Sequence, residues 1–207
     1  MLSYAITDRA RASVGEADQE TALLRQAAML AETGVDFVQL REKDLEAAAL
    51  ASLARKMLAV FRSSAHPPKL LINSRADVAV ATGADGVHLT SATGSLTPAD
   101  IRALYASAGL PEPIVSVSCH TLSEIPPARN AAASLILFGP VFEKVVSAPG
   151  AGEDPISEGI GLNLLHIACT AAAPTPVFAL GGITEQNAPA TIAAGAAGIA
   201  AIRHFLQ

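Results

Sequence analysis

Short apolar runs alternate with helix-length patterns eight times along this chain, and no other feature restricts its fold so strongly. The runs fall at residues 2–6, 35–40, 69–72, 86–89, 114–117, 134–138, 176–180 and 198–201. Between them lie segments with apolar residues at helical spacing. Residues 19–32 carry Ala22, Leu23, Ala27 and Leu30, and residues 46–61 carry Leu50, Leu53, Met57 and Phe61 on one face. Shorter helices are expected over 75–81, 162–172 and 185–194. Thr97-Pro98 reads as an N-cap with proline at the first helical position, opening a helix to about Ala108. Proline cannot sit in a helix interior, so the helix around Pro126-Pro127 should start late or break. Residues 145–159 hold three glycines and two prolines and read as a loop. Only residues 202–207 remain for a last, truncated helix.

Strictly alternating strand–helix units imply a parallel sheet. Eight of them predict an α/β fold closed as a TIM (β/α)8 barrel, in one domain over residues 1–207 with no linker. The chain is short for that class, where roughly 250 residues is typical. The alternative is an open doubly wound sheet, which usually has fewer strands, and no dinucleotide fingerprint is present to support it.

Composition narrows the function. Hydrophobic residues are 51% and charged residues 16%, which suits a packed core. The net charge is −5 and no basic stripe exists, so nucleic acid is not an expected partner. Cys119 and Cys169 are far apart without a CxxC pattern, and two reduced, buried thiols are expected over a disulfide. The first residues lack a charged segment followed by an apolar core, so no secretory signal is expected. The most apolar stretch, 188–202, is interrupted, Gly-rich and too short for a bilayer of about 30 Å. The expectation is a soluble, cytoplasmic protein without membrane contact.

In such a barrel the working residues follow the C-terminal ends of the strands. Here those positions hold Thr7 and Asp8, then Arg41, Glu42 and Lys43, then Asn73, Ser74 and Arg75. Later strands contribute Ser118 and His120, Gly139 with Lys144 further on, and Gly181-Gly182. The paired glycines, with a helix expected just beyond, suit an anion held by backbone amides and a helix dipole. A tight turn without a ligand is the alternative. Arg41 and Lys43 put two cations on the rim of an acidic protein, and arginine can grip an oxyanion with two parallel hydrogen bonds. Their alternative is a salt bridge to Glu42, Asp44 or a neighbouring loop.

His120 is the candidate acid–base group, because imidazole can take and return a proton near neutral pH. Its alternative is a role in capping or bonding the loop. His88 lies within a strand and is expected to pack inside the barrel with its nitrogens satisfied, while His66, His166 and His204 fall at surface or helix positions. No set of histidines has metal-ligand spacing. Cys119 and His120 are adjacent, so their side chains diverge and no nucleophile–base dyad is expected.

Seven segments in order carry a family resemblance: Tyr4-Ala5-Ile6-Thr7-Asp8, Gln39-Leu40-Arg41-Glu42-Lys43, Asn73-Ser74-Arg75-Ala76-Asp77, Asp85-Gly86-Val87-His88-Leu89, Ser116-Val117-Ser118-Cys119-His120-Thr121, Phe138-Gly139-Pro140-Val141-Phe142 and Gly181-Gly182-Ile183-Thr184. Over essentially its whole length the chain resembles the thiamine-phosphate synthase and thiazole tautomerase (TenI) superfamily. The synthase branch joins a pyrimidine pyrophosphate to a thiazole phosphate and expels pyrophosphate. The resemblance implies that it does so with magnesium, held by carboxylates after the third and fourth strands, and with a lysine in the loop after the sixth.

Here Ser74 replaces the first carboxylate, residues 90–95 contain no acid before Asp100, and Ser147 stands at the lysine position. Hydroxyls do not supply the charge that magnesium seeks. These departures look like the tautomerase branch, which moves a proton within a carboxy-thiazole phosphate until the ring is aromatic. The resemblance then makes His120 catalytic. It implies a substrate-binding rim of Arg41, Lys43, Asn73, Ser118, Gly139, Gly181, Gly182, Ala200 and Ala201, with the phosphate on the glycines and on amides near Ala200 and Ala201. Arg41 and Ser118 would orient the carboxylate or ring. No cofactor is implied, with magnesium needed only by the synthase alternative. The partner expected is a small phosphorylated thiazole, and a homodimer is implied. A third reading is a non-catalytic binder of thiazole phosphate or thiamine phosphate, hinted at by the long, weakly basic stretch 145–159.

Overall fold

Both faces of each apolar run are buried, which is what a closed parallel sheet with an outer layer of helices requires. A computed structural model describes residues 1–12, 18–90, 94–145 and 156–205. The runs form β1 (Leu2–Ile6), β2 (Phe37–Leu40), β3 (Lys69–Asn73), β4 (Gly86–Thr90), β5 (Ile114–Cys119), β6 (Leu135–Phe138), β7 (Val177–Leu180) and β8 (Gly198–Ala201). Neighbours pair in parallel, and β8 closes on β1 with Leu2 opposite Gly198. The TIM barrel expected from the alternation is the fold observed.

Helices α1 (Gln19–Glu32), α2 (Ala47–Arg62), α3 (Ala76–Thr82), α4 (Pro98–Ser107), α5 (Ile125–Asn130), α6 (Gly161–Ala172) and α7 (Ala188–Ala193) lie between strands. The predicted face of α2 is buried: Leu50, Leu53, Met57 and Phe61. In α4, Thr97 and Asp100 close a reciprocal capping box with Pro98 at the helix start.

The inside of the barrel has its own core of Tyr4, Ile6, Leu71, Leu135, Leu137, Phe178 and Ala200. Near the N-terminal ends of the strands the rings of Tyr4, Phe37 and Phe178 pack with centroids 5.8 to 5.9 Å apart and seal the barrel. Polar side chains begin above that plug, with Gln39, His88 and Ser116 all buried.

Several boundaries differ from the sequence reading. Strand β2 starts at Phe37 rather than residue 35, because the Asp36 carboxylate accepts from Ser3 N and Oγ, both at 2.8 Å. Strand β5 continues to Cys119, so Ser118 is a strand residue. A 3-10 turn, Leu122–Glu124, leads into α5, which takes Pro126 and Pro127 in its first turn, where their missing N–H groups cost no intrahelical bond. Helix α7 starts at Ala188 instead of 185, since Thr184 and Asn187 bond each other's backbone N–H ahead of it.

The ends of the stretch read as a loop carry a two-residue antiparallel ribbon, Lys144–Val145 with Ile156–Ser157. Ser147 lies outside the described residues. The last helix is a 3-10 turn, Arg203–Phe205, tied to α1 by Gln26 Nε2 donating to Phe205 O at 2.9 Å. Among the described residues no helix is long and apolar enough to cross a membrane. Cys119 and Cys169 are free thiols, pushed up to about 12 and about 11 by burial, although Cys169 is only half-buried.

Candidate active site

The loop after β2 arranges its charges through partners from the segment that follows β1. The buried Glu42 carboxylate accepts Thr7 Oγ1 at 2.6 Å, Arg9 N at 3.2 Å and Arg9 Nη1 at 3.3 Å. Asp44 takes Arg9 Nη1 and Nη2 at 2.8 and 2.6 Å. Arg9 therefore occupies both acids that could have neutralised the rim. The side chains of Arg41 and Lys43 make no hydrogen bond or ion pair with any described residue. A salt bridge from these cations to Glu42 or Asp44 is not what forms. Burial holds the Glu42 carboxyl above its ordinary value, against the hydrogen bonds from Thr7 and Arg9. Thr7 Oγ1 in turn accepts Arg41 N at 2.9 Å, which fixes the backbone of the arginine. A cleft of about 270 Å³ lined by Asp8, Arg9, Gln19, Arg41 and Lys43 opens beside it.

His120 follows β5, with its ring exposed at the mouth. Its Nδ1 lies 2.7 Å from Gly139 O. A carbonyl only accepts, so Nδ1 carries the hydrogen, and in the neutral ring the lone pair is on Nε2. Nε2 has no partner among the described residues. The backbone N–H groups of His120 and Thr121 donate to Glu124 Oε2, which anchors the loop. Gly139 allows this arrangement: a Cβ there would stand 1.9 Å from Leu180 O, so a side chain would force β6 and β7 apart.

His88 is buried, as expected, and both ring nitrogens are bonded. Nδ1 lies 2.8 Å from Ser116 Oγ and Nε2 lies 2.9 Å from Ser118 Oγ. Ser116 Oγ also lies 3.0 Å from Tyr4 Oη. Burial, with smaller contributions from the charges of Arg41 and His120, lowers the His88 pKa to about 3. Beside this column Gln39 Nε2 donates to Asn73 Oδ1 at 2.8 Å, and Gln39 Oε1 is buried without a partner among the described residues. Gln39, Ser116 and Tyr4 were not singled out as site residues, though a glutamine inside Phe37-Val38-Gln39-Leu40 is a visible break in an apolar run.

The glycine turn after β7 has φ of +92° at Gly181 and +66° at Gly182. A Cβ on Gly182 would meet Glu143 O at 2.5 Å and Phe142 Cβ at 2.7 Å, so packing as well as φ demands glycine. The amides of Gly182 and Ile183 make no hydrogen bond with a described residue, whereas Thr184 N donates to Asn187 Oδ1 at 2.8 Å. The helix-dipole part of the expectation fails: α7 has 6 residues and begins well past the glycines. The amides expected near Ala200 and Ala201 lie just beyond those two residues. Both residues sit in the β8 ladder opposite Tyr4 and Ala5, and the first amides beyond it are those of Ile202 and Arg203.

The residues after β3 and β4 do not fit a magnesium site. Ser74 offers a hydroxyl, Asp77 is paired with Arg75 at 2.6 Å, and Asp100 is engaged in the α4 capping box. Magnesium is held through free carboxylates and substrate phosphates. Among the described residues no group of three or more His, Cys, Asp or Glu side chains is placed to hold a metal ion.

Comparison with known proteins agrees with this architecture. The family model for thiamine monophosphate synthase matches residues 3–205. A Geobacter sulfurreducens protein described as "Putative thiamine-phosphate synthase" is 43% identical over 169 residues, 82% of this chain and 72% of that one. The thiamine-phosphate synthase of Azorhizobium caulinodans is 32% identical, covering 96% of this chain and 84% of its own. The thiamine phosphate pyrophosphorylase of Pyrococcus furiosus superposes with a TM-score of 0.74 over 97% of this chain and 85% of that one, and at 24% identity this speaks to the fold alone. With model and relatives matching nearly end to end, the chain belongs to the thiamine monophosphate synthase/TenI family, enzymes of thiamine biosynthesis.

Proposed function

We propose that the protein is a thiazole tautomerase acting on a carboxy-thiazole phosphate without a metal. The observation that carries this reading is His120, with Nδ1–H committed to Gly139 O and Nε2 unpartnered among the described residues beside the barrel mouth. In the proposed reaction Nε2 takes a proton from one ring carbon and returns it to the carbon whose protonation leaves the ring aromatic. One proton leaves and one arrives, with no redox change and no leaving group. The Gly139 carbonyl steadies the imidazolium while it carries the proton. Negative charge spreads into the ring and carboxylate, where Arg41 and Ser118 offset it. The phosphate rests on the amides of Gly182 and Ile183, with Lys43 as a nearby cation.

The printed names of the relatives favour a second reading, thiamine-phosphate synthase. Against it stands the donor set after β3 and β4, which lacks the carboxylates that a departing diphosphate and its magnesium would call for. Each substrate set should be offered in turn. The expected result is aromatised carboxy-thiazole phosphate from its dearomatised isomer, and no thiamine phosphate from the pyrimidine and thiazole pair. Thiamine phosphate formation would overturn the proposal in favour of the synthase. Binding of the thiazole phosphate with turnover of neither set would mark a non-catalytic binder.

A further inference from the structure

We propose that a dead-ended hydrogen-bond column inside the barrel sets the His88 tautomer and leaves the Ser118 O–H free to donate at the mouth, to an acceptor on the substrate. The column runs Tyr4 Oη, Ser116 Oγ, His88 Nδ1, His88 Nε2, Ser118 Oγ, with separations of 3.0, 2.8 and 2.9 Å across its three hydrogen bonds. Its lower end is closed. Tyr4 is fully buried against Phe37 and Phe178, and Ser116 Oγ is its one partner among the described residues.

That closed end sets every direction above it. Were Tyr4 to accept from Ser116, its own O–H would face an apolar layer without an acceptor, at a cost of about 1–3 kcal/mol. Tyr4 therefore donates to Ser116. The Ser116 O–H then donates to His88 Nδ1, which must carry a lone pair. His88 is neutral in its buried position, so its hydrogen is on Nε2 and donates to Ser118 Oγ. The Ser118 O–H cannot point back at His88. No described residue accepts it, and Ser118 is the outermost member of the column. Its acceptor comes from the ligand. Resting on the tautomerase reading, that acceptor is a carboxylate oxygen of the substrate.

Two measurements separate the column from the reaction. Long-range proton–nitrogen NMR on the histidine-labelled protein should show His88 protonated at Nε2 and bare at Nδ1, unchanged from neutral into mildly acidic solution. An Nδ1–H tautomer, or an imidazolium near neutrality, overturns the proposal whatever the protein catalyses. Calorimetry should then compare carboxylated thiazole phosphate with the same compound lacking the carboxylate. Ser118→Ala should weaken the carboxylated ligand about tenfold and the other less than about twofold, the worth of one hydrogen bond to a charged acceptor. His88→Gln, whose amide N–H can stand where Nε2–H stood, should keep the preference, and the shorter His88→Asn should lose it. Equal weakening of both ligands by Ser118→Ala overturns the contact. If the unaltered protein binds neither ligand while His88 shows the Nε2–H tautomer, the column stands and the carboxylate assignment falls with the tautomerase reading.

Discussion

At the scale of the residue, one carbonyl decides which nitrogen of His120 can work. His120 was legible in the sequence as a histidine just past an apolar run. Its tautomer was not, because Gly139 lies 19 positions away and only the β5–β6 pairing brings its oxygen to Nδ1. Replacing His120 by alanine should lower kcat by about 10²–10⁴, the usual worth of a positioned acid–base group, while the affinity for thiazole phosphate stays nearly unchanged. Steady-state kinetics and calorimetry check the two halves, and unchanged turnover would remove His120 from the mechanism. The rim cations carry a similar lesson. Sequence adjacency pairs Arg41 and Lys43 with Glu42 and Asp44, yet Arg9, 33 and 35 positions away, takes both acids. Arg9→Ala should free them to neutralise the rim. KM should rise by up to about fivefold, the size of a ~1 kcal/mol exposed ion pair, with kcat unchanged. An unaltered KM would mean that the two cations do not meet the substrate.

At the scale of the element, strand alternation puts Ser116 and Ser118 on the inner face of β5, where His88 of β4 meets them through the register of His88 with Ser116 and Thr90 with Ser118. That His88 would be buried and satisfied was readable from its place in an apolar run. The identity of its partners depends on register, which no single strand encodes. The burial has a pH signature. The folded pKa of about 3 lies below the unfolded value of about 6.5. For a base depressed by folding, its contribution is complete above about pH 6.5 and is lost as pH falls towards 3, by at most about 1.4 kcal/mol per unit. Urea melts at about pH 7 and about pH 5 should show this loss in the parent and not in His88→Gln, and parallel curves would contradict it. Helix α4 was legible at both its cap and its proline, since Thr97, Pro98 and Asp100 are local signals. Thr97→Ala should cost about 1 kcal/mol and lower Tm by about 2–4 °C in a thermal melt. Helix α7 was misplaced because its start is set by the Thr184–Asn187 pair, which competes with the helix for the same N–H groups.

At the scale of the whole molecule, the closed barrel follows from alternation alone, and the shortage of acids after β3 and β4 is read from the residues themselves. The amide cradle was harder to place. Ala200 and Ala201 end the eighth apolar run and are spent in the ladder that closes the barrel, so the amides open to a ligand start at the next residue. The relatives' printed names are those of thiamine-phosphate synthases, while among the described residues this chain's own rim offers unpaired cations, bare amides and a histidine with one unpartnered nitrogen. Both readings require phosphate recognition, and they part on the need for a divalent ion. The direct test is the rate at which the chelator-treated protein aromatises the dearomatised carboxy-thiazole phosphate. The account predicts full turnover without metal and no gain when magnesium is restored. A rate that vanishes with the chelator and returns with magnesium would contradict it.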